Sequence, residues 1–328
     1  MSQSPDQWVE AHLGPVTESL SSFVFSTVSV ADTEVPLIVI WTAVASLFFT
    51  VYLRLINIRA LGLAIRHARG DFSDPNARGE ISHFKAVATA VSGTVGVGNI
   101  GGVAVAISLG GPGAAFWLFV AGLLSMSTKL VECTLGVKYR RYNEDGSVSG
   151  GPMFYMEAYF QERGRPWLGK GLGMFYAAAL VIGCLGIGNM WQSNQAFAQV
   201  LVITGGENSL LAGRGWLFGL ALAAVIAAVI IGGIRSIARV AAVLVPIMGL
   251  IYVFAALVVI GLSAEHIPGA LALAMNDAFT GQAASGGILG AMVIGFQRAL
   301  FSNEAGIGSA SIAHSAVKTE APASEGIT

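Results

Sequence analysis

Long apolar runs, separated by short polar and charged stretches, make up most of the chain after residue 34. An apolar run of 18 or more residues is long enough to cross the roughly 30 Å hydrocarbon core of a bilayer as a helix. The pattern therefore predicts an all-α polytopic membrane protein embedded in a lipid bilayer. The predicted spans are residues 35–56, 83–108, 112–137, 172–203, 215–234, 239–262 and 286–317.

The composition agrees with this class of protein. Charged residues make up 11% of the chain and hydrophobic residues 54%, whereas soluble domains are about 25% charged. Cys133 and Cys184 both fall within apolar runs and form no CxxC pair, so we expect neither a disulfide framework nor a thiolate metal site. The first 34 residues contain no Lys or Arg, so the basic region of a signal peptide is missing. We expect no nucleic-acid partner, and the sequence leaves the oligomeric state open.

The Lys and Arg residues are distributed unevenly between the two sides that the alternating spans define. Fifteen of the 18 lie in the connections at 54–85, 138–170 and 235–239 and at Lys318, which all share one side. Arg214 is the one basic residue on the opposite side. Because basic loops remain in the cytoplasm, we predict a multi-pass plasma-membrane protein with its N-terminus outside and its C-terminus cytoplasmic. The stretch GGPMFYMEAYF at 150–160 predicts a short helix on the cytoplasmic membrane surface.

The second predicted span contains the glycine-rich sequence GTVGVGNIGG at 93–102. GVGNIG has the glycine spacing of a dinucleotide-binding loop, but that fold requires a preceding strand and an acidic residue about 20 positions later. Here the next acidic residue is Glu132, in another apolar span. Two interpretations remain. Gly98 and Gly102 could form a face for close helix packing, or the glycines could unwind the helix, so that freed N–H and C=O groups line an enclosed cavity.

Similar polar interruptions occur in two other spans. The sequence GIGS at 306–309 lies in the last span, beside the polar stretch FSNEA, and GIGNMWQ at 186–192 interrupts the fourth span. Paired broken helices at corresponding places in two halves of a chain are typical of a secondary-transporter site. The polar residues of the fourth span share one helical face, which also suits hydrogen bonds between helices. They are Asn189, Gln192, Gln195 and Gln199.

A few charged residues lie inside predicted spans. Lys129 and Glu132 are three residues apart, so they can neutralise each other, either as a structural ion pair or as part of a site. Arg298 and Glu304 lie in the last span, where charges usually face a cavity or a partner. His314 follows the second glycine break, and we interpret it as a residue at the cytoplasmic end of a helix rather than as a proton carrier.

Long motifs of this chain resemble the alanine or glycine:cation symporter family. The motifs are GTVGVGNIGGVAVAISLGGPGAAFW (93–117), STKLVECTLGVKYR (127–140), SGGPMFYME (149–157), GIGNMWQSN (186–194) and FQRALFSNEAGIGSASIAHSAVKT (296–319). The resemblance implies the leucine-transporter-type fold of the APC superfamily, with ten core helices in two inverted repeats of five. Residues 83–262 would then form the first repeat and 286–317 the broken sixth core helix. Residues 1–34 would be an extracytoplasmic segment, 35–56 an extra helix, and 318–328 a cytoplasmic end.

The same resemblance implies the roles of individual residues. Backbone freed at the first break, together with Asn99, would hold the carboxylate of the substrate, and Gln192 would reach across from the third core helix. The opposite wall would contact the ammonium group. The residues implied for substrate binding are Thr94, Gly98, Asn99, Gln192, Phe301, Ser302 and Gly306. Carbonyls near Ser92 and Val95 would bind the coupling sodium ion, whereas Asn303 and Glu304 could contact substrate or belong to a gating network.

The predicted function is sodium-coupled symport of small neutral amino acids, alanine or glycine. Because the family has about four further core helices, we expect the chain to be a C-terminally truncated fragment that does not transport alone. The alternative is a channel, or a non-transporting amino-acid-binding membrane protein, on the same helices. No catalytic motif or clustered set of metal ligands occurs in the sequence, so we predict that the protein is not an enzyme and binds no metal beyond sodium.

Overall fold

The computed structural model describes residues 14–15, 18–30, 33–74, 76–280 and 287–328. Residues 18–24 form a short helix, α1, which a hairpin of β1 (Thr27–Val30) and β2 (Thr33–Pro36) follows. The two strands pair antiparallel, with Thr27 opposite Pro36. The apolar helix α2 (Leu37–Tyr52) begins directly after Pro36. The connection to the next long helix contains α3 (Ile56–Arg59) and α4 (Leu61–Arg69).

The next part of the chain contains two long helical units. Helices α5 (His83–Thr94) and α6 (Val97–Gly110) are one apolar segment that bends by 47° at a short break. Helix α7 (Pro112–Lys138) follows, with proline in its first turn, where the missing N–H costs no helical hydrogen bond. A second small hairpin, β3 (Arg141–Tyr142) with β4 (Val148–Ser149), leads to α8 (Pro152–Glu162). The short helix predicted at 150–160 is therefore present.

Helix α9 (Pro166–Gly183) passes through a π-helical stretch, Cys184–Trp191, into α10 (Gln192–Ile203). The π-helix coincides with the polar interruption predicted at 186–192, and π-helical turns often occur at functional sites. The remaining helices are α11 (Gly215–Ile230), α12 (Gly233–Leu262), α13 (Ile267–Thr280), α14 (Gly287–Asn303), α15 (Ser309–Ser315) and α16 (Pro322–Ile327). They follow the predicted pattern apart from α13 and α16, which lie outside the predicted spans.

Every predicted span falls on one or more helices, although residue 286 lies outside the described residues. By length and composition, three described helices can cross a membrane: Pro112–Lys138, Pro166–Ile203 and Gly233–Leu262. The bent pair α5–α6 becomes a fourth span when it is counted as one. Helices α2 and α11 are apolar but shorter. A mostly helical polytopic architecture is confirmed.

Helix α7 is the centre of the packed part of the structure and contacts α2, α6, α13, α14, α15 and α16. Small residues make these contacts close, as is usual between membrane helices. A Cβ atom added to Gly113 would lie 2.6 Å from the amide nitrogen of Ala278 in α13, and one added to Gly295 in α14 would lie 2.7 Å from the carbonyl oxygen of Ala114. By contrast, α11 and α12 expose large apolar side chains, such as Leu220 in α11 and Phe254 in α12, as lipid-facing helices do.

Candidate substrate and ion site at the two helix breaks

The first break lies between α5 and α6, at Val95 and Gly96. The N–H of Gly96 donates to Asn99 Oδ1 at 2.9 Å, and the N–H of Val97 donates to Gln192 Oε1 at 3.1 Å. These two amides therefore do not continue the helical ladder to the carbonyls of α5. Of the two interpretations, the interrupted helix is the one observed, and Gly98 and Gly102 lie after the break, within α6.

Asn99 joins the first broken helix to the second. Its Nδ2 donates to Ser302 Oγ at 2.7 Å and to the Ser302 carbonyl at 3.1 Å. Ser302 lies in the last turn of α14, 203 residues further along the chain. Gln192, the first residue after the π-helix, completes the junction. A Cβ atom added to Gly96 would lie 2.9 Å from Gln192 Nε2, so glycine lets this amide approach the break.

The second break lies between α14 and α15. Its backbone is left-handed at Glu304 (φ 52°), Gly306 (φ 93°) and Gly308 (φ 88°), which favours glycine at the last two positions. The break predicted at 306–309 is thus confirmed. A Cβ atom at Gly308 would lie 2.4 Å from Pro152 Cγ, so α8 packs directly against this turn.

Two charged side chains of α7 hold the second break. The N–H of Gly306 donates to Glu132 Oε1, and Lys129 Nζ donates to the Glu304 carbonyl at 3.0 Å. Lys129 Nζ also lies 3.9 Å from Glu132 Oε2. The side chain of Glu304 accepts a hydrogen bond from Ser309 Oγ at 2.6 Å. These carboxylates therefore belong to the network that stabilises the break. The charge pair with Lys129, three residues away in an apolar span, pointed to Glu132 in the sequence. Nothing near Glu132 in the sequence indicated that it would accept from the Gly306 amide.

The other predicted residues lie around the same junction without direct contacts between them. The hydroxyls of Thr94 and Ser92 bond within α5, to the carbonyls of Ala90 and Thr89. Val95 and Phe301 are 40% and 49% exposed. The structure thus brings Asn99 into contact with Ser302 and Gln192 into contact with Val97 at the first break, and it places the remaining predicted residues within a turn of either break. Among the described residues, no cluster of His, Cys, Asp and Glu side chains could hold a metal ion.

The mostly helical, apolar chain is an integral membrane protein, and two interrupted helices that meet at a polar junction are typical of the secondary-transporter class. Comparison with known proteins gives the family. Residues 18–328 match the sodium:alanine symporter family, and the chain belongs to it. This is a family of symporters and not of enzymes, as the sequence motifs predict.

Three relatives illustrate the match. The sodium/alanine symporter AgcS of Methanococcus maripaludis is 39% identical over 84% of this chain and 59% of its own length. An uncharacterised transporter of Haemophilus influenzae is 37% identical over 89% of this chain and 62% of its own length. The probable sodium/glutamine symporter GlnT of Bacillus subtilis is 35% identical over 86% and 56%. The chain thus spans about three fifths of the length of these relatives.

Proposed function

We propose that this chain carries the binding site for sodium-coupled symport of small neutral amino acids, alanine or glycine, by alternating access across the plasma membrane. Membership of the sodium:alanine symporter family supports cation-coupled amino-acid transport as the general activity. One relative is named a sodium/alanine symporter and another a probable sodium/glutamine symporter. The choice of a smaller substrate therefore depends on the residues at the two breaks.

The contact between Asn99 and Ser302 is the observation that supports this proposal most strongly. It places the N-terminus of α6 beside the C-terminus of α14. The N-terminus of a helix carries a partial positive charge and the C-terminus a partial negative charge. Two such ends in contact suit a zwitterion, whose carboxylate would face α6 and whose ammonium group would face α14.

The side chains at the junction supply the specific contacts. Asn99 and Gln192 present amide groups at the start of α6, next to the backbone of Thr94 and Gly98, where the substrate carboxylate is expected. On the other side, the Ser302 carbonyl and the backbone near Gly306 would accept from the ammonium group. Glycines at both breaks and the ring of Phe301 leave room for a hydrogen atom or a methyl group as the substrate side chain.

Sodium would bind to the carbonyl oxygens at the end of α5. The amides of Gly96 and Val97 donate to side chains, so the carbonyls of Ser92 and Gly93 do not accept from them. The Asn99 amide donates to the Gly96 carbonyl, so the Val95 carbonyl does not accept from it either. Hard cations bind oxygen ligands of this kind, and the negative end of α5 adds to their attraction.

The leucine-transporter-type arrangement belongs to this proposal as well. Residues 83–262 correspond to the first five-helix repeat and 286–317 to the broken sixth core helix, with 35–56 as an additional helix. The basic connections would lie in the cytoplasm, with the N-terminus outside and residues 318–328 inside.

Competition binding tests the substrate class. Labelled alanine bound to the purified chain in sodium buffer should be displaced by unlabelled alanine and glycine, and much less by leucine or glutamate. Alaninamide is the matched probe, because it keeps the ammonium group and the methyl group but lacks the carboxylate. It should fail to compete. Displacement by leucine equal to that by alanine would exclude a small-substrate site, and competition by alaninamide would exclude carboxylate binding at α6.

A further inference from the structure

A buried carboxylate lies far from the substrate junction and bonds to two histidines. Glu325, in α16, is 1% exposed. Its Oε1 bonds to Nδ1 of His83, and its Oε2 lies 2.7 Å from Nδ1 of His314. An ionised carboxylate only accepts hydrogen bonds, so both Nδ1 atoms carry the proton. Burial alone would raise the pKa of Glu325, but the hydrogen bonds from His314 and His83 outweigh it, and its pKa lies below the ordinary value.

The two histidines belong to the two broken helices. His83 is the first residue of α5, and His314 lies in the last turn of α15. Each is at the end of its broken unit that points away from the substrate junction. In the proposed orientation both ends face the cytoplasm.

The helix that carries Glu325 is itself fixed to α7. A Cβ atom added to Gly326 would lie 2.1 Å from Thr134 Oγ1 and 2.5 Å from the Leu130 carbonyl oxygen, so α16 is in direct contact with α7. Backbone pairing reinforces the contact between the two broken units. The N–H of Lys318 donates to the Ile81 carbonyl at 2.9 Å, and residues 81 and 317 form a parallel bridge.

We propose that Glu325 is a positioning residue of the transport cycle, which holds the cytoplasmic ends of both broken helices together through His83 and His314 and keeps the cytoplasmic side closed. The inference rests on the proposed alternating access, because release of substrate to the cytoplasm requires these helix ends to separate. Charge-assisted hydrogen bonds to a buried carboxylate are strong enough to set such an equilibrium.

A cysteine at Ser311 reports the separation. Ser311 is fully buried in α15 against α7, where a Cβ atom at Gly136 would lie 2.7 Å from the Ser311 carbonyl oxygen. The Ser311→Cys variant is made in a Cys133→Ala, Cys184→Ser background. It is treated with a membrane-impermeant maleimide, added from one side of the membrane or the other, and the labelling rate is measured. The test variant is Glu325→Gln. Glu320→Gln is the matched control, because Glu320 is exposed and bonds only to the Arg78 amide among the described contacts.

Glu325→Gln should raise the cytoplasmic labelling rate on the order of tenfold over the Glu320→Gln control, the effect of losing one hydrogen bond to a charged group. External labelling should not change. Equal rates in the two variants would overturn the proposal. So would a rise from both sides, because it would indicate general loosening of the fold.

Two milder variants decide the question if Glu325→Gln does not fold. His83→Ala and His314→Ala each leave one N–H group that donates to the carboxylate. Each variant should raise the cytoplasmic labelling rate and leave the external rate unchanged. The labelling experiment contains no amino acid. Failure of alanine binding with a positive labelling result would therefore remove the proposed substrate, and the reverse pattern would remove the role of Glu325.

Discussion

Asn99 Nδ2 lies 2.7 Å from Ser302 Oγ, and this contact joins the two interrupted helices of the protein. Asn99 also accepts from the Gly96 amide at the first break. One side chain thus fixes the start of α6 and the end of α14 relative to each other. A substrate bound between these ends would contact the same groups, which makes Asn99 the residue on which the account most depends.

Replacement of Asn99 by alanine should abolish alanine binding. The variant loses the bonds to Gly96 and to Ser302, which together should weaken binding by about 100-fold or more. Asn194→Ala is the matched control, because Asn194 is exposed on α10. Equilibrium binding of labelled alanine to both variants checks this. Unchanged affinity in Asn99→Ala would remove this residue from the site.

Gln192→Ala should weaken alanine binding on the order of tenfold through loss of the amide that meets Val97. Gln199→Ala, in the same helix but exposed, should bind alanine as the parent protein does. Gly96→Ala tests the same contact from the other side, because its new Cβ would displace the Gln192 amide. Isothermal titration of the three variants separates them, and equal affinities for all three would contradict this arrangement.

Glu132→Gln should destabilise the folded protein by about 2 kcal/mol or more. It removes the charge that compensates Lys129 and weakens the acceptor for the Gly306 amide. Glu157→Gln is a suitable control, since Glu157 forms a more exposed ion pair with Arg141. Thermal unfolding in detergent should show a clear loss of stability for the first variant only. Equal unfolding temperatures would show that Glu132 does not stabilise the second break.

Two glycines of α7 should respond oppositely to alanine. A Cβ atom at Gly136 would lie 2.7 Å from the Ser311 carbonyl, so Gly136→Ala should cost about 1–3 kcal/mol by separating α7 from α15. Gly122 has no atom within 4 Å of that position. Gly122→Ala should be neutral or stabilise the helix by up to about 1 kcal/mol. Thermal unfolding of both variants measures these effects. An unfolding temperature of Gly136→Ala equal to that of the parent protein would exclude the close contact between α7 and α15.

The Glu325 cluster should lose its stabilising effect only in acid. The pKa of Glu325 is lowered in the folded protein, so its contribution is fully present above its ordinary pKa of 4.5 and is lost as the pH falls through the lowered value. The titratable groups that face it are His83, His314, His67 and Cys133. Burial, with the charge of His83, lowers the pKa of His67.

Thermal unfolding from pH 7 to pH 3.5 should therefore show a steeper loss below about pH 4.5 for the parent protein than for Glu325→Gln. The parent protein should keep its stability advantage over Glu325→Gln between pH 7 and pH 6. If that advantage is already lost in this range, histidine protonation rather than Glu325 controls the cluster.

The helices and the breaks could be predicted because both depend on residues close together in the sequence. Apolar runs indicate the helices, and GVGN and GIGS mark places where the backbone departs from a helix. The polar patch at 186–192 likewise coincides with the π-helix. Helices α13 and α16 were missed, because their 14 and 6 residues are too few to stand out as spans. Helix α13 packs on α7, where Asp277 accepts from the Gly113 amide at 2.7 Å.

The long-range contacts could not be predicted in the same way. Glu132 meets the second break across 174 positions, and His83 meets Glu325 across 242. In the sequence the histidines are scattered, and no local pattern pairs them with a carboxylate. Such contacts depend on how α7, α15 and α16 pack, which the hydrophobic pattern of single helices does not determine.

Binding of labelled alanine to the purified chain, in sodium and with sodium replaced by choline, tests the central claim most directly. Measurable affinity is expected in sodium, and at least about tenfold weaker binding in choline, which is in the usual range for two coupled ligands. The reason is that the carbonyls that would hold sodium lie at the same helix break as the amides that bond to Asn99 and Gln192. Equal affinity in the two salts, or no binding in either, would contradict a coupled site at the junction of the two broken helices.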